Sequence, residues 1–422
     1  MPGTAVADSA RVAELIERIA TISDDSPGVT RLAFTPAERK AHSLFAGLMS
    51  ELGLRVWTDA AGNTMAEAAG AEELPAIGTG SHLDSVPRGG RFDGIAGVVA
   101  AVEVARIFTE NQVRHRHPFR FVAFAAEEGA RFGQACLGSR LAAGLTSPAD
   151  LRRLKDAHGT TVAEAMKMVG LDPDRVAEAR WDPADWAAFV ELHVEQGGML
   201  EATGLPIGVV DTVSGSTRMR IHLNGRPSHT GATPMAGRAD ALTTAARVVL
   251  AVESIATDAR HHGTRATVGE MSVRPGSLTT IPGEVVLTVD VRDVDAVRQR
   301  HTAAEIVRYA ETVGAERGVR VETTLIGDSS PVVLPLWVGD TLAKAAVDCS
   351  AGFRMMTSGA SHDAQMINKV TPTGMIFVPS RAGVSHVPEE WTAPEDLAVG
   401  VQVLARSLLS LDALLSPEER SR

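Results

Sequence analysis

Apolar residues recur along this 422-residue chain with two periods, and the order of those periods predicts its architecture. Residues 12–22 carry apolar side chains at helical spacing. Thr35-Pro36-Ala37-Glu38 has the form of a capping box with proline at the first helical position, opening a helix that runs to about residue 52. Residues 55–58 and 63–67 read as strands around the turn Ala60-Ala61-Gly62, followed by a strand at 75–80, a helix at 95–108 and a buried strand at 118–126. Residues 137–185 read as mostly helical and polar, with a break at Trp181-Asp182-Pro183, and another short apolar strand covers 188–193. This β-α-β succession, with polar residues at strand ends, predicts an α/β fold with a mostly parallel sheet covered by helices.

The pattern changes near Val213. From there the periods predict a strand at 216–223, a helix at 238–255, strands at 266–273 and 283–291, a helix at 294–317 and a strand at 320–325. That β-α-β-β-α-β order is the split βαβ of a ferredoxin-like domain. Its flanks, 211–215 and 328–331, read as hinges, and the helix-strand pattern resumes beyond them, including an apolar strand at 374–378. The expected division is a first domain in two pieces, 1–212 and 329–422, with a second domain, 213–328, inserted in it.

Composition narrows the class. The chain is 44% hydrophobic and 22% charged with a net charge of -11, and it has no Lys/Arg cluster, so nucleic acid is not expected as a partner. Cys136 and Cys349, the two cysteines, give no disulfide framework and fit a reducing compartment. The amino-terminal stretch reaches charged residues before any signal-like apolar run, and later apolar runs are interrupted by charges or glycines, so a cytoplasmic protein without membrane insertion is expected. Residues 416–422 form a polar tail.

The candidate chemistry gathers at the ends of the apolar strands. Ser81-His82-Leu83-Asp84-Ser85 follows one strand, Gly89-Gly90-Arg91-Phe92-Asp93-Gly94 leads into a helix, Glu127-Glu128-Gly129 ends a buried strand, and Glu191-Leu192-His193-Val194-Glu195-Gln196-Gly197 ends another. A two-metal hydrolytic site needs a bridging carboxylate, terminal His or carboxylate ligands, and a non-ligating base. His82, Asp93, Glu128, His193 and His386, with Glu127 beside Glu128, make a matching set. Taken singly, a histidine is more often structural than a ligand, Asp-Gly is more often a turn, and a Glu pair is more often a solvated strand end. Convergence on strand ends and glycine-rich loops favours the metal reading. His115, His117, His261 and His262 lack that setting and read as surface residues.

These motifs, together with Arg131-Phe132-Gly133, Gly138-Ser139-Arg140, Ser228-His229-Thr230-Gly231, Pro234-Met235, Asp290-x-Arg292, 358–364 (SGASHDA) and Ser385-His386-Val387-Pro388-x-Glu390, closely resemble the metal-dependent amidohydrolases that cleave N-carbamoyl compounds. That group contains N-carbamoyl-L-amino acid hydrolases, allantoate amidohydrolases and β-ureidopropionases, and is related to aminoacylases and peptidases with a dinuclear zinc site. The resemblance implies a zinc-peptidase-like catalytic domain whose inserted ferredoxin-like domain serves as lid and dimerisation surface of a homodimer. It implies two divalent ions per subunit (Zn, Mn, Co or Ni), with His82 and His193 on one, Glu128 and His386 on the other, and Asp93 bridging. It further implies that Asp84 orients His82, that Glu127 is the general base, and that Gln196 contacts the carbamoyl group. His229 would stabilise the oxyanion across the dimer interface and Arg292 would clamp the substrate carboxylate. Gly359 and Ala360 would line the substrate site, as would Thr279, where relatives usually carry Asn and this chain offers one short hydroxyl in place of an amide. The expected activity is hydrolysis of the carbamoyl C–N bond of an N-carbamoyl-L-amino acid. Allantoate and β-ureidopropionate are the nearest alternative substrates, N-acyl amide or peptide cleavage is a further one, and a non-catalytic binding protein of the same fold is a different class altogether.

Overall fold

The computed structural model describes residues 7–25 and 27–415, so the polar tail 416–422 lies outside the described residues. The chain forms two compact units, residues 1–211 with 334–422, and residues 212–333.

The strands, in chain order, are β1 Arg55–Thr58, β2 Thr64–Ala68, β3 Ala76–His82, β4 Phe119–Phe124, β5 Trp186–Val194, β6 Ile207–Val213, β7 Gly215–Asn224, β8 Arg265–Arg274, β9 Glu284–Asp293, β10 Arg320–Ser329, β11 Val332–Val333, β12 Phe353–Ser358 and β13 Thr373–Val378. The larger sheet has the order β1-β2-β4-β3-β5-β13-β6-β11, with β12 also on β6. Its centre, β4-β3-β5-β13, is parallel, while β2 on β4 and β6 on β13 run antiparallel. β3, β5 and β13 are buried along their whole length, as expected of parallel strands covered on both faces.

Helix Ile95–Glu110 seats directly on this centre. A Cβ on its Gly97 would lie 2.2 Å from the Leu192 carbonyl oxygen and 2.6 Å from Ser81 Cβ, so only glycine lets the helix approach β3 and β5 this closely. Helix Pro394–Leu414 is long and apolar enough, by length and composition, to cross a membrane. It buries Leu397, Val401, Leu404, Leu408 and Leu411 in the same hydrophobic core as helix Ile95–Glu110, the environment of a core helix.

Three regions differ from the sequence reading. Residues 137–185 hold only short helices, because Ser147 and Thr161 form capping boxes that each start a new one, and Leu137, Leu141, Leu151, Val162 and Met166 gather in a satellite core with Phe34 and Phe132. The flanks read as hinges are largely strand: 211–213 belong to β6, 215 opens β7 and 328–329 end β10, and just beyond them Val332 and Val333 pair with Val213 and Thr212. His117 and His261, read as surface residues, are 1% and 0% exposed. His117 is drawn in by bonds from its main-chain N–H to Asp412 Oδ1 at 2.8 Å and from Nδ1 to the Pro75 carbonyl at 2.7 Å.

The second unit carries a four-stranded antiparallel sheet in the order β10-β7-β9-β8. Strict alternation along β9 buries Val285, Leu287, Val289 and Val291 against helices Ala241–Thr257 and Ala296–Glu316, and turns Thr288, Asp290 and Arg292 to the other face. This is the β-α-β-β-α-β unit that the periods predict.

Candidate active site

β3 carries His82 as its last residue, and Asp93 stands two residues before helix Ile95–Glu110. Gly94, between Asp93 and the helix, has φ +70°, and a Cβ there would lie 2.4 Å from the His82 ring; the turn must be glycine for the imidazole to keep its place. The Asp93 main-chain N–H donates to Glu390 Oε1 at 3.0 Å, and its Oδ2 accepts from Ser385 Oγ at 3.1 Å and from Gln196 Nε2 at 2.6 Å.

Three imidazoles meet this carboxylate. His82 Nε2 lies 3.4 Å and His193 Nε2 3.1 Å from Asp93 Oδ1, while His386 Nε2 lies 3.1 Å from Oδ2 and 3.4 Å from Glu128 Oε2. The donor atoms of His82, Asp93 and His193, and those of Asp93, Glu128 and His386, form two tight triads that share Asp93. Main-chain carbonyls set two of the tautomers. His82 Nδ1 points to the Asp84 carbonyl at 3.1 Å and His193 Nδ1 to the Val194 carbonyl at 2.9 Å, which leaves each Nε2 lone pair turned inward as a ligand needs. The Asp84 carboxylate, expected from the sequence to orient His82, stays 3.6 Å from Nδ1; the orienting oxygen is Asp84's own carbonyl.

Asp84's carboxylate is otherwise engaged. Its Oδ1 accepts from the Glu127 N–H at 2.8 Å and its Oδ2 from the Glu128 N–H at 3.0 Å. Glu38 Oε1 accepts from the Ala126 N–H at 2.9 Å, so two buried carboxylates hold three consecutive amides. The Glu pair therefore sits on a turn beyond β4, where Ala126 has φ +57°, rather than on the strand end read from the sequence. Glu38 was read as half of a capping box. Thr35 does accept from the Glu38 N–H at 3.3 Å, but Glu38 Oε2 goes to the Phe34 N–H at 2.7 Å. Burial, with the charge of Asp84 nearby, pushes the Glu38 carboxyl up to about 7. Arg31, buried beside both, bonds to the carbonyls of Leu83, Ile19 and Ile22.

The turn separates the two glutamates. Glu128 belongs to a triad, whereas Glu127 belongs to neither. Glu127 Oε2 lies 3.8 Å from His82 Nε2, and its Oε1 accepts from the Cys136 thiol at 3.0 Å. Burial raises the carboxyls of Glu127 and Glu128, the latter well above the ordinary range with Asp93 adding to it. Burial acts the same way on Asp93, but its bonds to His193, His386 and His82 outweigh burial and hold it well below. Carboxylates and imidazole nitrogens packed this closely fit the binding of divalent metal, whose charge offsets the mutual repulsion of the carboxylates.

Behind the ligands, Glu191 accepts from Ser81 Oγ and from the Ala364 N–H, both at 2.7 Å, and so ties β5 to β3 and to helix Asp363–Ile367. Glu191 and His362 also approach His193, but Glu191 is committed to these donors. Gly359 and Ala360 lie on the turn after β12, where Ser358 Oγ accepts from the Ala360 N–H at 3.1 Å. A cavity of about 530 Å³ between Trp57, Arg120, Arg175, Trp181 and Trp186 contains none of these groups.

His229, Thr279 and Arg292 belong to the second unit. His229 bridges to Thr280, and the Thr279 carbonyl accepts from the Thr230 N–H at 3.0 Å, so His229 and Thr279 lie on adjoining segments. His229 is exposed, and its Nδ1 accepts from the N–H groups of Gly231 at 3.0 Å and Ala232 at 3.1 Å. In the neutral ring the proton is therefore on Nε2. Arg292 Nε donates to Asp290 Oδ2 at 3.0 Å.

The sequence patterns did not single out Glu38, Arg31 or Cys136 for the site. Glu38 read only as part of a helix cap and Arg31 carried no signal of its own; both prove fully buried.

Comparison with known proteins gives the family of the chain. The model of peptidase family M20/M25/M40 matches residues 78–410. The N-carbamoyl-L-amino-acid amidohydrolase of Paenarthrobacter aurescens is 42% identical over 407 residues, 96% of this chain and 98% of that protein. That of Geobacillus stearothermophilus is 43% identical over 389 residues, 92% of this chain and 94% of its own. Among solved structures, an amidase of the hydantoinase/carbamoylase family from Burkholderia vietnamiensis superposes with a TM-score of 0.87 at 34% identity, covering 97% of this chain and 98% of that one.

Proposed function

Since the chain belongs to the M20/M25/M40 peptidase family, we propose that it hydrolyses N-carbamoyl-L-amino acids to the amino acid, carbon dioxide and ammonia. The observation that carries the reading is the pair of donor triads fused at Asp93, with Glu127 beside them and outside both.

His82 and His193 would hold one divalent ion and Glu128 and His386 a second, with Asp93 between, the ions being Zn, Mn, Co or Ni. Ions held there supply Lewis acidity toward water and the carbamoyl oxygen. Glu127 takes a proton from the attacking water as its oxygen joins the carbamoyl carbon, then passes it to the terminal nitrogen as that C–N bond breaks. Ammonia leaves, and the remaining N-carboxy group loses carbon dioxide. Gln196 contacts the carbamoyl group, and its Oε1, which has no hydrogen-bond partner among the described residues, offers an acceptor to the carbamoyl NH₂. His229, with its proton on Nε2, donates to the oxyanion. Arg292 binds the substrate carboxylate, and Thr279, Gly359 and Ala360 shape the site around it. The assembly proposed is a cytoplasmic homodimer joined through the inserted unit, with His229 serving the second subunit's site.

The test is ammonia release from a panel of N-carbamoyl-L- and D-amino acids, allantoate, β-ureidopropionate and N-acetyl amino acids, each with added Zn²⁺, Mn²⁺, Co²⁺ or Ni²⁺. Turnover concentrated on the L-carbamoyl compounds is expected. Cleavage of the N-acyl compounds with none of the carbamoyl ones overturns the assignment.

A further inference from the structure

In the inserted unit, the 3-10 turn Ala259–His261 follows helix Ala241–Thr257 and lies against helix Ala296–Glu316. His261 is fully buried there. Its Nδ1 lies 2.7 Å from Thr302 Oγ1, and that hydroxyl directs its one proton to the Arg298 carbonyl at 2.8 Å. Nδ1 therefore carries the imidazole proton, and Nε2 presents a lone pair to Glu305 Oε2 at 3.0 Å. Two such acceptors hold this separation only with a cation between them or a proton on one of them.

A third donor favours the cation. His301 stands one turn before Glu305 on the same helix face, and its ring is stacked near that of His261, 5.5 Å between centroids and 24° between planes. Donor atoms of His261, His301 and Glu305 all lie within 4.8 Å of one another. A proton on His261 accounts for the contact with Glu305 but leaves a second imidazole without a role, whereas an ion uses both rings. The other Glu305 oxygen is taken by Arg260 Nη2 at 3.1 Å, which orients the carboxylate and leaves Oε2 for the ion.

We propose that His261, His301 and Glu305 form a further divalent-metal site, separate from the one at Asp93 and suited to a borderline ion such as Zn²⁺ held by two imidazoles and a carboxylate. The ion pins the turn at the end of one helix of the inserted unit to the flank of the other.

The experiment strips the full-length protein with a chelator, titrates Zn²⁺ by equilibrium dialysis with elemental analysis, and follows thermal unfolding. His301 is exposed, so His301→Ala folds as the wild type does, and Glu305→Gln serves as the second variant. Each should bind one Zn²⁺ fewer per chain than the wild type. In a His193→Ala background, where the centre at Asp93 is impaired, Zn²⁺ should still raise the melting temperature, and adding His301→Ala should abolish that rise. Equal zinc stoichiometry in the wild type and both variants, or a zinc-dependent rise that survives His301→Ala, overturns the proposal and makes His261 and Glu305 a proton-linked pair.

Discussion

At the level of single residues, the division between Glu127 and Glu128 makes the sharpest prediction. Glu127→Gln should keep both ions and lose roughly 10²–10⁴ in kcat, because the amide is isosteric but cannot take a proton. Glu128→Gln should lose metal, since Glu128 and not Glu127 stands in a triad. Elemental analysis beside kcat separates the two, and equal metal loss in both variants would reverse the roles. Cys136 makes a second. Burial, with Glu127 beside it, raises the thiol well above its usual range, so it stays protonated and donates to Glu127 Oε1. Cys136→Ala should lower kcat about tenfold with metal content unchanged, the order expected when a carboxylate loses one hydrogen bond, and Cys136→Ser should recover part of it. Wild-type turnover in the alanine variant would reduce Cys136 to a space-filling role. His82, Glu128 and His193 drew attention in the sequence as polar residues at the ends of apolar strands, and Asp93 and His386 through glycine-rich loops and the family resemblance; the structure brings the donor atoms of all five together. Glu38 and Arg31 did not, because a Thr-x-x-Glu box and a lone arginine have ordinary local explanations, and only the fold shows both to be fully buried, with Glu38 bonded to the Ala126 N–H.

Among the elements, helix Pro36–Glu51 carries a pH dependence of its own. Burial, with Arg39 and Arg31 near, holds the His42 imidazole well below its ordinary 6.5, and its Nδ1 pairs with Thr64 Oγ1 on β2 at 2.9 Å. A base depressed on folding contributes stability above its unfolded value and loses it as the pH falls, so the protein should lose stability progressively below pH 6.5. Melting temperatures between pH 7 and 5 should fall less steeply in His42→Leu than in the wild type; parallel curves would assign the acid sensitivity to other groups. The elements most legible in the sequence were those with a clean period, such as β3, β9 and helix Ile95–Glu110. β6 and β12 escaped notice. Residues 207–213 run into Asp211 and Thr212, inside the stretch read as a hinge, and 353–358 are only partly buried, so neither shows the alternation or the fully apolar run that marks a strand.

For the whole molecule, the proposed assembly predicts complementation. If His229 serves the second subunit's site, mixing His229→Ala with Glu127→Gln under conditions of proven subunit exchange should restore part of the activity, since a heterodimer regains one intact site. No recovery would place His229 in its own subunit's chemistry or outside it. Arg292→Ala should raise KM strongly for carboxylate substrates and erase discrimination against the matching carboxamides, a loss on the order of 2–5 kcal/mol for a buried charge pair. The insertion was visible in the sequence because the hydrophobic period switches from α/β alternation to β-α-β-β-α-β and back; the pairing that joins its ends was not, because two-residue strands leave no period to read. That pairing bears on the order of folding. β5 and β13 are parallel neighbours, yet the whole stretch 212–333 lies between them in the chain, a long loop to close from a random coil. Because Val213 and Val332 are paired, an inserted unit that folds first on its own compact core joins its two ends and removes its entire length from that loop. Pulse-labelled hydrogen exchange should then find the amides of β7 and β9 protected before those of β13, so that the guest domain acts as a folding clasp for its host.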